Sequence, residues 1–107
     1  MLTKIKKVGN DILFHCITHH NIHDAIALLE EGEVDKDAQN INGQTPLHFA
    51  VESQNSTMIQ ALLSKGANPN IQDNEEIGFN TPLHKAVEKN MLDVVELFLE
   101  HGAEPTI

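Results

Sequence analysis

Seven histidines and one cysteine are the side chains of this 107-residue sequence best suited to chemistry near neutral pH. Two of the histidines stand in matching frames, Thr45-Pro46-Leu47-His48-Phe49-Ala50 and Thr81-Pro82-Leu83-His84-Lys85-Ala86. A histidine acting as a general base needs a nucleophile to activate, and no Ser or Cys occupies a matching position beside either copy. Four others, His15, His19, His20 and His23, form a cluster. His15 to His19 and His19 to His23 are each four residues apart, a spacing that on one helix would clamp a divalent metal ion. A helix break expected near His20-Asn21 splits that set, so a solvated end face is the simpler reading. His15, His19 and His23 remain the candidate ligands of a metal-binding alternative; otherwise no metal and no cofactor is expected. Cys16 lies between His15 and Ile17 on a predicted helix, where a small buried side chain is the expectation rather than a nucleophile.

The remaining charged residues suggest no reaction either. Glu30, Glu31, Glu33, Asp35 and Asp37 lack the Gly and carboxylate spacing of a calcium loop, and read as a solvated turn able to steer a basic partner. No phosphate-binding loop, dinucleotide fingerprint or paired-carboxylate signature is present. The formal charge is −9, unevenly spread: Lys4, Lys6 and Lys7 open the chain, and from residue 10 onward sixteen carboxylates face four lysines. Such a body repels phosphate backbones, which argues against nucleic acid and for solubility or a basic protein partner. A single cysteine excludes an internal disulfide and fits a reducing compartment. Met1–Asn10 has lysines but no apolar run after them, and no stretch is long enough to cross a membrane. The expected location is cytoplasmic, where the Asn55-Ser56-Thr57 glycosylation pattern would be coincidental.

The elements that position these residues come in repeated units. Thr45 to Thr81 is 36 residues, Gly66 to Gly102 is 36, and Asn40 to Asp73 is 33, so the period is 33 with three extra residues between Asp73 and Thr81. Thr45 and Thr81 are N-cap residues, and Pro46 and Pro82 follow where a missing N–H costs nothing. Leu47 and Ala50, like Leu83 and Ala86, are three apart and face a core. Met58, Ile59, Leu62 and Leu63, then Leu92, Val95 and Leu99 with Val94 and Phe98, give each unit an apolar second helix. Gly66 and Gly102 end those helices, and Asn40, Gly43, Asn70 and Asp73 supply turns between units.

Upstream, Asp11–Ile17 is expected as a first helix capped by Asp11. Ile22, Ala25, Leu28 and Leu29 make its partner, closed by Gly32. Counting back from Gly32 aligns Cys16 with Ala50, whereas counting back from Asn40 aligns His15 with His48; the Gly32 anchor is preferred. An irregular first unit suits a terminal cap. At the other end the chain is either a fragment of a longer repeat protein or, if whole, one in which Leu83, Val87, Leu92 and Val95 are expected to lack cover and to leave apolar surface open to end-to-end self-association.

This frame, Asn40-Ile41-Asn42-Gly43-Gln44-Thr45-Pro46-Leu47-His48-Phe49-Ala50 running to Gly66-Ala67-Asn68-Pro69-Asn70, resembles the ankyrin repeat. The resemblance implies an all-α solenoid of helix–turn–helix units with short β-hairpin tips. An N-terminal basic extension of residues 1–9 precedes a repeat domain of residues 10–107, in units of about 10–39, 40–72 and 73–107. It also implies that His48 and His84 are structural, bonding to Thr and backbone groups that tie the hairpins. The implied function is non-enzymatic protein recognition through a concave surface of hairpin tips and first helices. Matching positions are Gln39, Ile41, Asn42, Gln44, Glu52 and Ser53, then Gln72, Asn80, Glu88 and Lys89 one unit on. The insertion adds Glu75, Glu76, Ile77 and Phe79; the Ile77/Phe79 pair is either a binding anchor or a cover folded back on the stack. An oligomerising or inhibitory subunit using the open C-terminal end is the alternative within the same fold.

Overall fold

The computed structural model describes residues 2–32 and 34–104, with side chains from residue 9 onward. Six helices follow in order: α1 Leu2–Thr18, α2 Ile22–Glu31, α3 Pro46–Glu52, α4 Ser56–Ser64, α5 Pro82–Glu88 and α6 Leu92–Glu100. They pack as antiparallel pairs, α1 with α2, α3 with α4 and α5 with α6. First helices then touch first helices (α1–α3–α5) and second touch second (α2–α4–α6), giving two layers. Each unit therefore leans mainly on its neighbours, the arrangement of a solenoid.

Local chemistry starts the short helices sharply. Thr45 and Thr81 are extended and accept the backbone N–H of His48 and His84, while Pro46 and Pro82 stand at the first helical position. Within each pair the same turn recurs. Asn21, Asn55 and Met91 donate to the carbonyls of Cys16, Ala50 and Ala86 at 2.7, 3.1 and 2.9 Å. His20, Gln54 and Asn90, each one residue before those donors, have positive φ. The turn aligns Cys16 with Ala50, as the Gly32 anchor requires.

The core runs through all three units. Leu13, Ile17 and Ala25 lie under Leu47, Ala50, Val51, Met58, Ile59 and Leu62, followed by Leu83, Ala86, Val94 and Phe98, all buried. Each of the large aliphatic side chains contributes roughly 1.5–3 kcal/mol by leaving water. The alanines in first helices let neighbouring backbones approach closely.

Three expectations change. Asp11 does not cap the first helix: α1 begins at Leu2, so residues 2–9 are its first turns and Asp11 lies inside it. Ile12 stands where the other units have Pro, and without proline nothing drives the preceding residue out of helical conformation. The tips are hydrogen-bonded turns, and among the described residues no strand forms, because single contacts such as Asp73 N–H to the Asn80 carbonyl (2.9 Å) close them. Leu83 is buried inside the stack, and on the helices of the third unit the exposed large apolar side chains are Val87, Leu92 and Leu99. Phe79 is 53% exposed. Among the described residues no helix is long and apolar enough to cross a membrane.

Candidate functional site

His48 is the pin of the site. Its Nδ1 accepts the backbone N–H of Thr45 at 3.0 Å, which leaves the proton on Nε2. Nε2 then donates to the Asn80 carbonyl at 2.8 Å, in the next unit. The ring is buried and its pKa is pushed below the usual histidine value, first by burial and then by the Lys85 charge, against opposing pulls from the Asn80 carbonyl, Asp73 and Glu52. A neutral, doubly bonded imidazole holds structure and has no free nitrogen for proton transfer. His84 repeats the local half of this arrangement, accepting from Thr81 N–H at 3.1 Å.

What His48 holds is the inserted turn. Asn74 collects it: Ile77, Gly78 and Phe79 all donate to the Asn74 carbonyl, at 2.9, 3.0 and 3.2 Å. Asn74 also ties the turn to the preceding tip. Its N–H donates to the Asn42 carbonyl at 2.9 Å and its side-chain amide to the Ile41 carbonyl at 2.9 Å. Gly43 makes this approach possible, because a Cβ there would fall 2.9 Å from the Asn74 nitrogen and φ is +76°. Ile41 and Phe79 thus flank one anchor, with Ile41 91% exposed. Phe79 itself has φ +56°, an uncommon conformation for a bulky side chain.

The expected surface residues divide into two groups. Gln39, Gln72 and Asn80 are used internally. Gln39 Nε2 donates to the Gly43 and Gln72 carbonyls (2.9 and 3.3 Å), Gln72 Nε2 to Phe79 (3.0 Å), and Asn80 Nδ2 to Ile77 (3.0 Å). Gln44 bonds Asn40, and the Ser53 hydroxyl donates to the Ile17 carbonyl at 3.4 Å. Ile77 is half-buried. Ile41, Asn42, Glu75, Glu76, Phe79 and Glu88 face solvent.

On the first helices, Glu52 lies between two cations. Lys89 Nζ is 3.5 Å and Lys85 Nζ 3.9 Å from its carboxylate, and Lys85 is also 3.9 Å from Glu88. Lys85, Thr18 and Phe49 were not among the expected site residues. Yet Lys85 joins Glu52, Glu88 and Lys89 around one hollow, while Thr18 and Phe49 join Gln44, Glu52 and Ser53 around a second of about 460 Å³. Lys85 is the counterpart of Phe49, 36 residues earlier across the insertion, and stands one helical turn before Glu88, the counterpart of Glu52.

The histidine cluster is split. His15 and His19 stack at 4.0 Å near the end of α1, while His23 belongs to α2. Among the described residues no group of three or more His, Cys, Asp or Glu is placed to hold a metal ion. Cys16 is buried, and burial, with the Asp24 charge second, pushes its thiol pKa up, away from the reactive thiolate.

Comparison with known proteins agrees with this architecture. A family model for ankyrin repeats (3 copies) matches residues 2–73, and a model for a single ankyrin repeat matches residues 79–107. The chain is also similar to the nuclear factor NF-kappa-B p105 subunit of Gallus gallus, with 31% identity over 70 residues. That stretch is 65% of this chain and only 7% of the relative. Capped helix pairs, a histidine pin between units, stacked layers and two family matches covering most of the sequence lead to one assignment: the chain belongs to the ankyrin-repeat family.

Proposed function

We propose that this chain is a non-enzymatic binding module that holds a segment of a protein partner along its hairpin tips and first helices. Ankyrin repeats are in general protein–protein interaction modules, and the relative is by name a subunit. The observation that carries the reading is the pair Ile41 and Phe79, both exposed and each tied through its backbone to Asn74, with Glu75 and Glu76 solvent-facing on the same turn as Phe79. Such a rim suits a partner segment in which an apolar residue is flanked by Lys or Arg. Glu88 extends the acidic side; Glu52, already shared by two lysines, serves to shape the groove. The binding domain takes units of about 10–39, 40–72 and 73–107, the first lengthened by α1, and Gln39, Asn42, Gln44, Ser53, Gln72, Ile77, Asn80 and Lys89 complete the surface. A reducing, cytoplasmic setting accords with the one buried thiol.

The test compares affinity capture from the source organism by the parent chain, by I41S/E52A/F79S/E88A, and by the outer-face control E31A/E96A/E100A. Partners lost by the first variant and kept by the control support the groove. Partners kept by both variants, or lost by both alike, reject it.

A further inference from the structure

The tip that opens the second unit carries the chain's one Asn-Gly step, Asn42-Gly43; every other asparagine precedes a residue with a side chain. Glycine has no Cβ to obstruct the approach, so at such a step an asparagine side chain closes most readily on the backbone that follows it. The fold holds that closure off. Gly43 N–H donates to the Asn40 carbonyl at 2.9 Å, closing a turn over Ile41 and Asn42, and Gly43 is buried. Asn40 Oδ1 braces the turn, accepting from Asn42 N–H and Gln44 N–H at 2.9 Å each. Asn74 clamps it from the next unit: its N–H donates to the Asn42 carbonyl and its side-chain amide to the Ile41 carbonyl, both at 2.9 Å. Asn42 itself is exposed.

We infer that Asn42-Gly43 is a deamidation site kept latent by the fold, and that loosening the clamp between this tip and the inserted turn releases it. Base first removes the Gly43 amide proton, and the freed nitrogen attacks Asn42 Cγ. A C–N bond forms, and the side-chain nitrogen takes a proton from water and leaves as ammonia. The five-membered succinimide then takes up one water. Breaking the new bond at Cγ gives aspartate, and breaking the original peptide bond at the Asn42 carbonyl gives isoaspartate. One water is consumed and one ammonia released, with no change of oxidation state. In the closed tip the first step is opposed twice, because the Gly43 proton is held by a carbonyl and its nitrogen is shielded from base.

Neither product leaves the tip as it was. Aspartate adds a negative charge. Isoaspartate routes the chain through the side-chain carbons, which lengthens the backbone by one methylene and turns the former Asn42 carbonyl into a free carboxylate beside the chain. The bond it accepted from Asn74 N–H is then lost from the backbone. The inserted turn with Phe79 separates from the tip with Ile41, the two exposed apolar residues of the rim. Conversion is irreversible, so the site integrates the time the tip has spent open.

The test follows conversion by peptide mass spectrometry during mildly alkaline incubation of the parent chain, the parent chain in urea, and Asn74→Ala. That variant deletes only the side-chain bond to the Ile41 carbonyl, and circular dichroism checks that it folds. Asn55-Ser56 is the internal control, because the Asn55 side chain caps α4 and converts only when that helix opens. Conversion at Asn42 is expected to be fastest in urea and slowest in the folded parent. In Asn74→Ala it should run roughly two- to tenfold faster than in the parent, the share of one net hydrogen bond, with Asn55 unchanged. The isoaspartate fraction, separated by ion exchange, should have lost hydrogen-exchange protection at the Asn74 amide. A folded parent that converts as fast as the unfolded chain overturns the inference, as does an unfolded chain that does not convert at Asn42. Asn74→Ala converting no faster than the parent, or Asn42 and Asn55 accelerating together, rejects the clamp. An Asn74 amide equally protected after conversion rejects the release of the inserted turn.

Discussion

Both ring nitrogens of His48 are engaged inside the stack, so a second proton could enter only by breaking the bond from Thr45 N–H to Nδ1. In the unfolded chain the imidazole takes a proton near its ordinary value of 6.5, and in the fold only at lower pH. The unfolded state therefore binds more protons between the two values. Stability from this site is complete above about pH 6.5 and is lost as pH falls through the folded value. Gln at position 48 offers one acceptor and one donor without titrating. Urea midpoints at about pH 7.5 and about pH 5.5 should show a larger acid loss for the parent chain than for His48→Gln; equal losses would remove His48 from the account. The Asp73 charge raises the His48 pKa, so Asp73→Asn should lower it further, read from the ring proton shifts by NMR. The cap at Thr45 was legible in the Thr-Pro spacing, because a helix N-terminus is decided within four residues, whereas the bond between Thr45 and His48 was implied only by the ankyrin resemblance. The identity of its distant acceptor, Asn80, and the placement of Lys85 against Glu52 depend on how adjacent units are superposed across the insertion.

Helices and turns separate what proline dictates from what it leaves open. Thr45 is extended because Pro46 follows it, so the start of α3 could be placed from sequence alone. Asp11 is followed by Ile12, and the chain upstream continues as helix through Gly9 and Asn10 to Leu2. A carboxylate at the right spacing looks like a cap, but it becomes one only where the backbone leaves the helix. The second helices were legible from their apolar spacing and terminal glycines. The inserted turn was legible only as extra length, since its shape depends on Asn74 reaching the previous tip. That dependence is testable at Gly43. A Cβ there meets Asn74 and the backbone has φ +76°, so Gly43→Ala should destabilise the chain by about 1–3 kcal/mol. Hydrogen exchange should localise the damage, with the Asn74 amide losing protection while the amides of α4 keep theirs; an unchanged Asn74 amide would mean that the two tips are not coupled.

In the whole stack, adjacent units are joined by more than apolar contact, because side-chain oxygens of one loop cap backbone amides of the next. Asp37 Oδ1 accepts from Asn68 N–H at 2.8 Å, and Asn70 Oδ1 accepts from Glu104 N–H at 2.7 Å. Asn70 adds a second link by donating to the Gly102 carbonyl at 3.1 Å. The middle unit has a seam on each side, whereas α5 and α6 are held within the chain through one. In a linear array stability is nearly a sum of unit and seam terms, so a seam mutation should act mainly on the unit that depends on it. Asn70→Ala deletes both links and is expected to cost about 1–3 kcal/mol, compared with a small effect for the exposed control Gln60→Ala. Hydrogen exchange resolves where that energy is lost. Amides of α6 should speed up in Asn70→Ala while those of α4 hold, because α4 remains packed against α2 and α3. Equal acceleration of α4 and α6 would show instead that the three units open as one, and the additive picture of the stack would fail for this chain.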